Sequence, residues 1–268
     1  MTDLNNMMWQ ERAAGNTDRP WESLTTEPGG LEPTLELRPP GAEEGVTLLA
    51  IHGGGFVSGS IETHRRMFGH LALAAGLTTV VVDYGLVPAH VYPSQLDAVT
   101  AAFRRLAGRV AIVGDSCGAT LALGVALRAR DAGFDEPAAL VLMSPWVDLT
   151  VSGASFDAGT DPFFTRDLCR GLAAGYLGGA DDPAADPGRA DLRGLPPTYV
   201  QAGADEALVD DARLLDRRLR AAGVDVRLDE FAGQLHTFQM GAGHSAAADD
   251  AIGRAGSWLR RTLSSTRP

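Results

Sequence analysis

Ser116 stands in the run Gly114-Asp115-Ser116-Cys117-Gly118, a Gly-x-Ser-x-Gly spacing that can present a serine oxygen as a nucleophile. Glycines two places either side of the serine permit a turn so tight that bulkier residues there would collide. A serine hydroxyl is a poor nucleophile until a base removes its proton, and the base needs a carboxylate to fix its tautomer. Attack on a carbonyl also needs donors aimed at the oxyanion that develops. His52-Gly53-Gly54-Gly55-Phe56 offers them, because three consecutive glycines let backbone N–H groups approach a ligand with no Cβ in the way. Four carboxylates, Asp205, Glu206, Asp210 and Asp211, cluster in one stretch. Residue chemistry alone does not choose between Asp205 and Glu206, since neighbours in a turn can each point inward. Acyl transfer through a covalent intermediate is the chemistry this combination can perform.

These residues need elements to hold them. Apolar runs at residues 46–51, 78–83, 110–113, 139–143, 198–202 and 226–231 predict strands, the first two buried on both faces. Residues 31–38 alternate Leu35 and Leu37 with Glu36 and Arg38, which predicts a half-exposed strand at the sheet edge. Helices are predicted over residues 64–75, 94–106, 119–129, 165–177, 210–222 and 246–263. Strands alternating with helices predict an α/β fold, a mostly parallel doubly wound sheet with its site at the strand C-termini. Residues 1–268 read as a single domain. An N-terminal arm covers about residues 1–30, and its weakly amphipathic segment 2–14 is expected to lie over the site. The Gly-, Asp- and Pro-rich insertion at about residues 151–197 is expected to form a small helical cap.

A strand–turn–helix around the serine is the nucleophile elbow of α/β-hydrolases, whose partners follow in the order serine, acid, histidine. Of six histidines, His52 belongs to the glycine loop, and His64, His70 and His90 precede Ser116. His236 follows the last strand, where a loop reaches back over the strand ends, and is the favoured base. His244 sits in a Gly-rich run at the start of the final helix and reads as a solvated residue.

Composition narrows the function classes. The net charge is −11 and every basic residue is Arg, which argues against nucleic acid and anionic membranes as partners. The N-terminus has neither a cationic start nor an apolar run of signal-peptide type, and no apolar run approaches membrane-spanning length. Two cysteines, Cys117 and Cys169, suit a reducing compartment and a cytoplasmic location. No Cys/His cluster has metal-ligand spacing, and nothing calls for a cofactor.

His52-Gly53-Gly54-Gly55, Gly114-Asp115-Ser116-Cys117-Gly118, Ser144-Pro145-Trp146 and Leu235-His236 together resemble the bacterial hormone-sensitive-lipase family of carboxylesterases. The resemblance covers roughly residues 46–265 and implies an α/β-hydrolase fold. It implies Ser116 as nucleophile, His236 as base, and the Gly54, Gly55 and Cys117 N–H groups as the oxyanion hole. The family acid sits in an Asp-Pro-Leu-x-Asp motif, matched here by Glu206-Ala207-Leu208-Val209-Asp210, and this register selects Glu206 over Asp205. The family elbow usually carries Ala and Gly where this chain has Cys117 and Ala119. The family's Tyr-Arg-Leu-Ala-Pro-Glu is replaced by Tyr84-Gly85-Leu86-Val87-Pro88-Ala89, without its Arg and Glu. Few residues precede His52, so a reduced cap and a more open site are expected. Relatives often dimerise through the last strand and helix, so a homodimer is a possible assembly.

The expected function is serine carboxylester hydrolysis of a small-molecule ester through an acyl-enzyme. Phe56, Phe163 and Phe164 are expected at the substrate, and Phe156 and Tyr176 add to an apolar lid. Three other readings stay open on the same residues: an amidase, lactonase or arylformamidase-like hydrolase; a biosynthetic enzyme of this fold catalysing cyclisation or elimination; and a non-catalytic ligand-binding protein.

Overall fold

The computed structural model describes residues 25–28 and 34–265. Its strands are β1 (Thr25–Pro28), β2 (Thr34–Arg38), β3 (Glu43–Ile51), β4 (Leu77–Val82), β5 (Arg109–Asp115), β6 (Leu140–Met143), β7 (Thr198–Gly203) and β8 (Val226–Phe231). Its helices are α1 (Ile61–Ala75), α2 (Ser94–Arg105), α3 (Cys117–Ala132), α4 (Arg166–Leu177), α5 (Val209–Ala221) and α6 (Ala246–Ser265), with 3-10 turns at Ala154–Asp157 and Phe238–Gly241. The strands form one sheet in the order β1-β2-β4-β3-β5-β6-β7-β8. Pairing is parallel from β4 to β8, and antiparallel where β1 meets β2 and β2 meets β4.

The central strands are mainly apolar because helices cover both faces. On one face residues of α2, α3 and α5 join Leu49, Ile51, Ile112, Leu140 and Val200 in one apolar cluster, which the cap helix α4 extends through Cys169, Ala173 and Tyr176. On the other, Met67 and Phe68 of α1 and Ala251, Ile252 and Leu259 of α6 pack on Leu48, Ala50, Ala111, Val113 and Val141. Helix α3 is buried almost all round, which its Ala/Leu-rich sequence permits. The register brings Ile51 beside Gly114 and Asp115 beside Met143, so the loops after β3, β5, β6, β7 and β8 open at one end.

Several elements differ from the sequence expectations for identifiable reasons. The strand expected at the sheet edge, β2, lies inside it, because β1 pairs outboard of it in a register of Thr25 with Arg38. Pro28 and the lack of apolar alternation hid β1 within the expected N-terminal arm, as befits an edge strand. The rest of that arm, with segment 2–14, lies outside the described residues, as do residues 31–33. Strand β3 starts at Glu43 rather than 46, its extra residues admitted by an irregularity between Glu43 and Thr47. Helix α1 starts at Ile61 rather than 64, because Ser60 and Thr63 form a reciprocal capping box. In the cap, α4 starts where Thr165 Oγ1 accepts the Leu168 N–H, one residue from the expected boundary.

Candidate active site

Ser116 occupies the turn between β5 and α3 with φ 53° and ψ −122°, a conformation that a non-glycine residue holds only under constraint. The constraint is visible. Its N–H donates to the Met143 carbonyl at 2.9 Å, and its carbonyl accepts from the Trp146 N–H at 3.1 Å. A Cβ on Gly114 would lie 2.4 Å from the Gly118 carbonyl oxygen, and one on Gly118 would lie 2.2 Å from that of Ile51. Both glycines are therefore required by close backbone approach.

The Ser116 hydroxyl meets His236 Nε2 at 2.9 Å. His236 arrives on the loop after β8, which packs so closely that a Cβ on Gly203 would lie 2.3 Å from the Gln234 carbonyl oxygen. Behind the imidazole, Nδ1 faces Glu206 Oε1 at 3.5 Å, both side chains essentially buried. Such links are often long in unliganded sites and tighten on substrate. The other carboxylate oxygen, Oε2, accepts from the Ser144 hydroxyl at 2.7 Å and the Gly203 N–H at 2.9 Å. Asp205 and His244 are solvent-exposed. The structure thus brings Ser116, His236 and Glu206 together and leaves their rivals at the surface. The sequence marks Ser144 only as part of the Ser144-Pro145-Trp146 motif, and no spacing signals a role for it. Its hydroxyl also accepts the Thr237 N–H at 2.9 Å, tying the acid to the histidine loop.

The glycine loop after β3 borders this group. Gly54 and Gly55 have φ 115° and 61°. A Cβ on Gly54 would sit 2.2 Å from the Ser58 carbonyl oxygen. The Gly53 N–H donates to Asp115 Oδ1 at 3.0 Å, which holds the loop against the residue preceding Ser116. Asp115 Oδ2 faces His64 Nε2 at 3.4 Å, both fully buried. The Cys117 N–H begins α3 beside Ser116, where the helix terminus favours negative charge.

The cap lies directly over these groups. Phe164 sets its ring edge-on to His236, with centroids 4.5 Å apart and planes at 68°. Leu172 lies so close to Gly55 that a Cβ there would be 2.9 Å from its Cδ1. Tyr176 stacks on Phe56 at 3.7 Å, and Phe56 is fully buried. Phe163 is half exposed at 50 %. Ser116 and His236 keep only 3 % and 1 % of their surface, so the expected open site is a closed one. The physical reason is that one cap helix suffices when Phe164 and Leu172 touch the site itself. Asp161 fixes Phe164 in place, a function the sequence did not suggest. Its Oδ1 accepts the Phe163 and Phe164 N–H groups at 2.8 and 3.2 Å, and its Oδ2 accepts that of Ala207 at 3.1 Å. At Gly85, where the family has Arg, a Cβ would lie 2.1 Å from the His90 ring, so the imidazole fills that space.

A second buried carboxylate supports the loop after β6. Asp211 Oδ2 accepts the Val147 and Asp148 N–H groups at 2.8 and 2.9 Å. Burial pushes its pKa up to about 8, with the charges of Asp148 and Glu206 adding to the rise and the two amides opposing it. The unfolded chain releases this proton near pH ~4. A folded-state pKa above the unfolded one contributes stability that is lost as pH climbs towards 8. Asp211→Asn keeps a carbonyl acceptor and abolishes the titration. The variant's melting temperature relative to wild type should therefore rise steadily between pH 5 and pH 8, and a difference independent of pH would refute the assignment.

A serine on a strained turn between a central parallel strand and a buried helix, facing a histidine after the last strand, defines an α/β-hydrolase. A family model described as alpha/beta hydrolase fold matches residues 48–240. The chain is 39 % identical over 216 residues to an acetyl-hydrolase of Streptomyces hygroscopicus, covering 76 % of this chain and 72 % of that protein. It is 35 % identical over 240 residues to a putative acetyl-hydrolase, LipR, of Mycobacterium tuberculosis, covering 86 % and 78 %. Among solved structures, an esterase from the bacterial hormone-sensitive lipase family superposes with a TM-score of 0.92 at 36 % identity, covering 98 % of this chain and 92 % of that one. The chain belongs to this hormone-sensitive-lipase family of bacterial esterases and is a carboxylesterase-like serine hydrolase. No helix among the described residues is long and apolar enough to cross a membrane.

Proposed function

We propose that the protein hydrolyses small to medium hydrophobic carboxylic esters through a Ser116 acyl-enzyme. The observation that carries this reading is the 2.9 Å contact between Ser116 Oγ and His236 Nε2 at a strained elbow. His236 takes the serine proton as the oxygen attacks the ester carbonyl, and the imidazolium is stabilised by Glu206. The N–H groups of Gly54, Gly55 and Cys117 receive the oxyanion, each such donor contributing ~3 kcal/mol to the transition state. His236 then protonates the leaving alcohol, and a water repeats the sequence to release the acid. Leu172 against Gly55 and Phe164 against His236 leave an apolar, restricted space, which favours short acyl groups. The naming of two relatives as acetyl-hydrolases supports the same preference. The acidic surface fits a small-molecule ester better than nucleic acid or membrane as partner, a homodimer is the proposed assembly, and two buried free cysteines fit a cytoplasmic location.

The test is labelling with a fluorophosphonate beside turnover of p-nitrophenyl acetate, butyrate and octanoate. One phosphonyl group on the Ser116 peptide, loss of turnover in proportion, and rates falling from acetate to octanoate are expected. Labelling elsewhere, or turnover that survives full labelling, would reject the mechanism; an octanoate preference would reject the short-acyl assignment.

A further inference from the structure

Cys117 differs from the alanine usual at this place in the family elbow, and its side chain has a defined position. The sulfur is fully buried and receives the Phe56 N–H at 3.3 Å. It also lies 3.6 Å from the Tyr84 hydroxyl. That hydroxyl donates to the His52 carbonyl at 2.6 Å. A hydroxyl that donates its only proton to His52 can still accept one, so the thiol proton points to Tyr84 while a sulfur lone pair faces Phe56. The chain of donors therefore runs from Phe56 N–H to Cys117 Sγ–H to Tyr84 Oη–H to the His52 carbonyl. Its two ends are the last N–H and the first C=O of the glycine loop. Linked donors of this kind polarise and strengthen one another in a dry interior.

The loop needs such a tie. Phe56 has φ 64°, in the left-handed region that a bulky residue avoids. Its carbonyl is held by the Val87 N–H at 2.9 Å and its ring by Tyr176, so the sulfur is what holds its N–H. Burial pushes the Cys117 thiol up to about 12, with contacts from Tyr84, Phe56 and Gly55 pulling it down, and burial raises Tyr84 as well. Both groups keep their protons at working pH, as the relay requires.

We propose that the Cys117 thiol and Tyr84 hydroxyl form a relay that clamps the His52–Phe56 loop at both ends and so sets the Gly54 and Gly55 N–H groups at the oxyanion. Cys117 thus has two functions: its N–H is an oxyanion donor, and its side chain is a positioning group. The inference rests on the proposed acyl-enzyme reading, and neither side chain touches substrate.

The experiment compares wild type, Cys117→Ala, Cys117→Ser, Tyr84→Phe, the Ala/Phe double variant and Ser116→Ala on p-nitrophenyl acetate. Inhibition by a trifluoromethyl ketone, which forms a tetrahedral adduct on serine, is measured alongside, with melting curves to verify folding. Cys117→Ala and Tyr84→Phe should each lower kcat about tenfold, with KM within about twofold, as expected for donors moved by a fraction of an ångström. Ketone affinity should weaken in parallel with kcat. The hydroxyl of Cys117→Ser can accept and donate as the thiol does, so this variant should recover most of the rate. The double variant should be no worse than either single one, because both break the same chain. Wild-type kcat in Tyr84→Phe, or equal losses in Cys117→Ser and Cys117→Ala, would overturn the relay, and the Tyr84→Phe and Cys117→Ser arms decide the matter even if Cys117→Ala does not fold. Loss of turnover in Ser116→Ala alongside an unaffected Cys117→Ala rejects the relay alone, whereas turnover in Ser116→Ala sinks both readings.

Discussion

Ser116→Ala is expected to lower kcat for p-nitrophenyl acetate by about a millionfold, leaving KM within a small factor. The size follows from what is removed. Without Oγ no acyl-enzyme forms, and His236 loses the proton donor that lies 2.9 Å from its Nε2. Donors aimed at the oxyanion remain, so a residual rate above that of water is expected from them alone. His236→Ala should lose nearly as much, because a neutral serine is left without a base. The informative arm is the double variant. If serine and histidine act as one unit, removing both costs no more than removing either, whereas independent contributions would multiply. The Ser116 position has no packing function beyond the elbow, so Ser116→Ala should melt near wild type. A folded Ser116→Ala that retains more than a thousandth of the wild-type rate would place the nucleophile elsewhere.

The order of elements was legible because each central strand is a mainly apolar run followed by a turn signal, and the helices between them keep their period. Ser116 and His236 were legible for a different reason. The elbow demands glycines at 114 and 118, and the histidine must follow the last strand, so local backbone physics and chain order single them out. What stayed hidden is what lies in long-range side-chain contacts. Ser144 bridges Glu206 and Thr237 from three separate loops, and no spacing in the chain announces that meeting. Asp161 reads as one more acid in a Gly/Asp/Pro-rich insertion until its two oxygens are seen to bind the Phe163–Phe164 turn and Ala207. How closely the cap covers the site stays hidden too, because residue count says how large a cap is, not where Phe164 and Leu172 come to rest. Strand β1 is not legible because its pairing partner, not its own sequence, makes it a strand.

The choice between Asp205 and Glu206, open on residue chemistry, yields the second large effect. Glu206→Gln should lower kcat by about ten-thousandfold while leaving the fold intact. The reason lies in the donors around the carboxylate. Oε2 accepts both the Ser144 hydroxyl and the Gly203 N–H, so in the amide the carbonyl oxygen must occupy that corner. The NH2 group then takes the place of Oε1 and faces His236 Nδ1. An Nδ1 that must accept a hydrogen bond carries no proton, so the imidazole proton moves to Nε2, the nitrogen that has to take the proton of Ser116. The variant would thus be a folded enzyme with its base in the wrong tautomer. Nitrogen chemical shifts of the His236 ring report this directly: protonation at Nδ1 in wild type and at Nε2 in Glu206→Gln are the expected states. Asp205→Asn provides the contrast, since its exposed side chain can change with little effect on kcat. Equal losses in the two variants would mean that charge near the loop matters rather than a positioned acid. A large loss in Asp205→Asn alone would transfer the acid to its neighbour and leave Glu206 as a buried structural carboxylate held by Ser144 and Gly203.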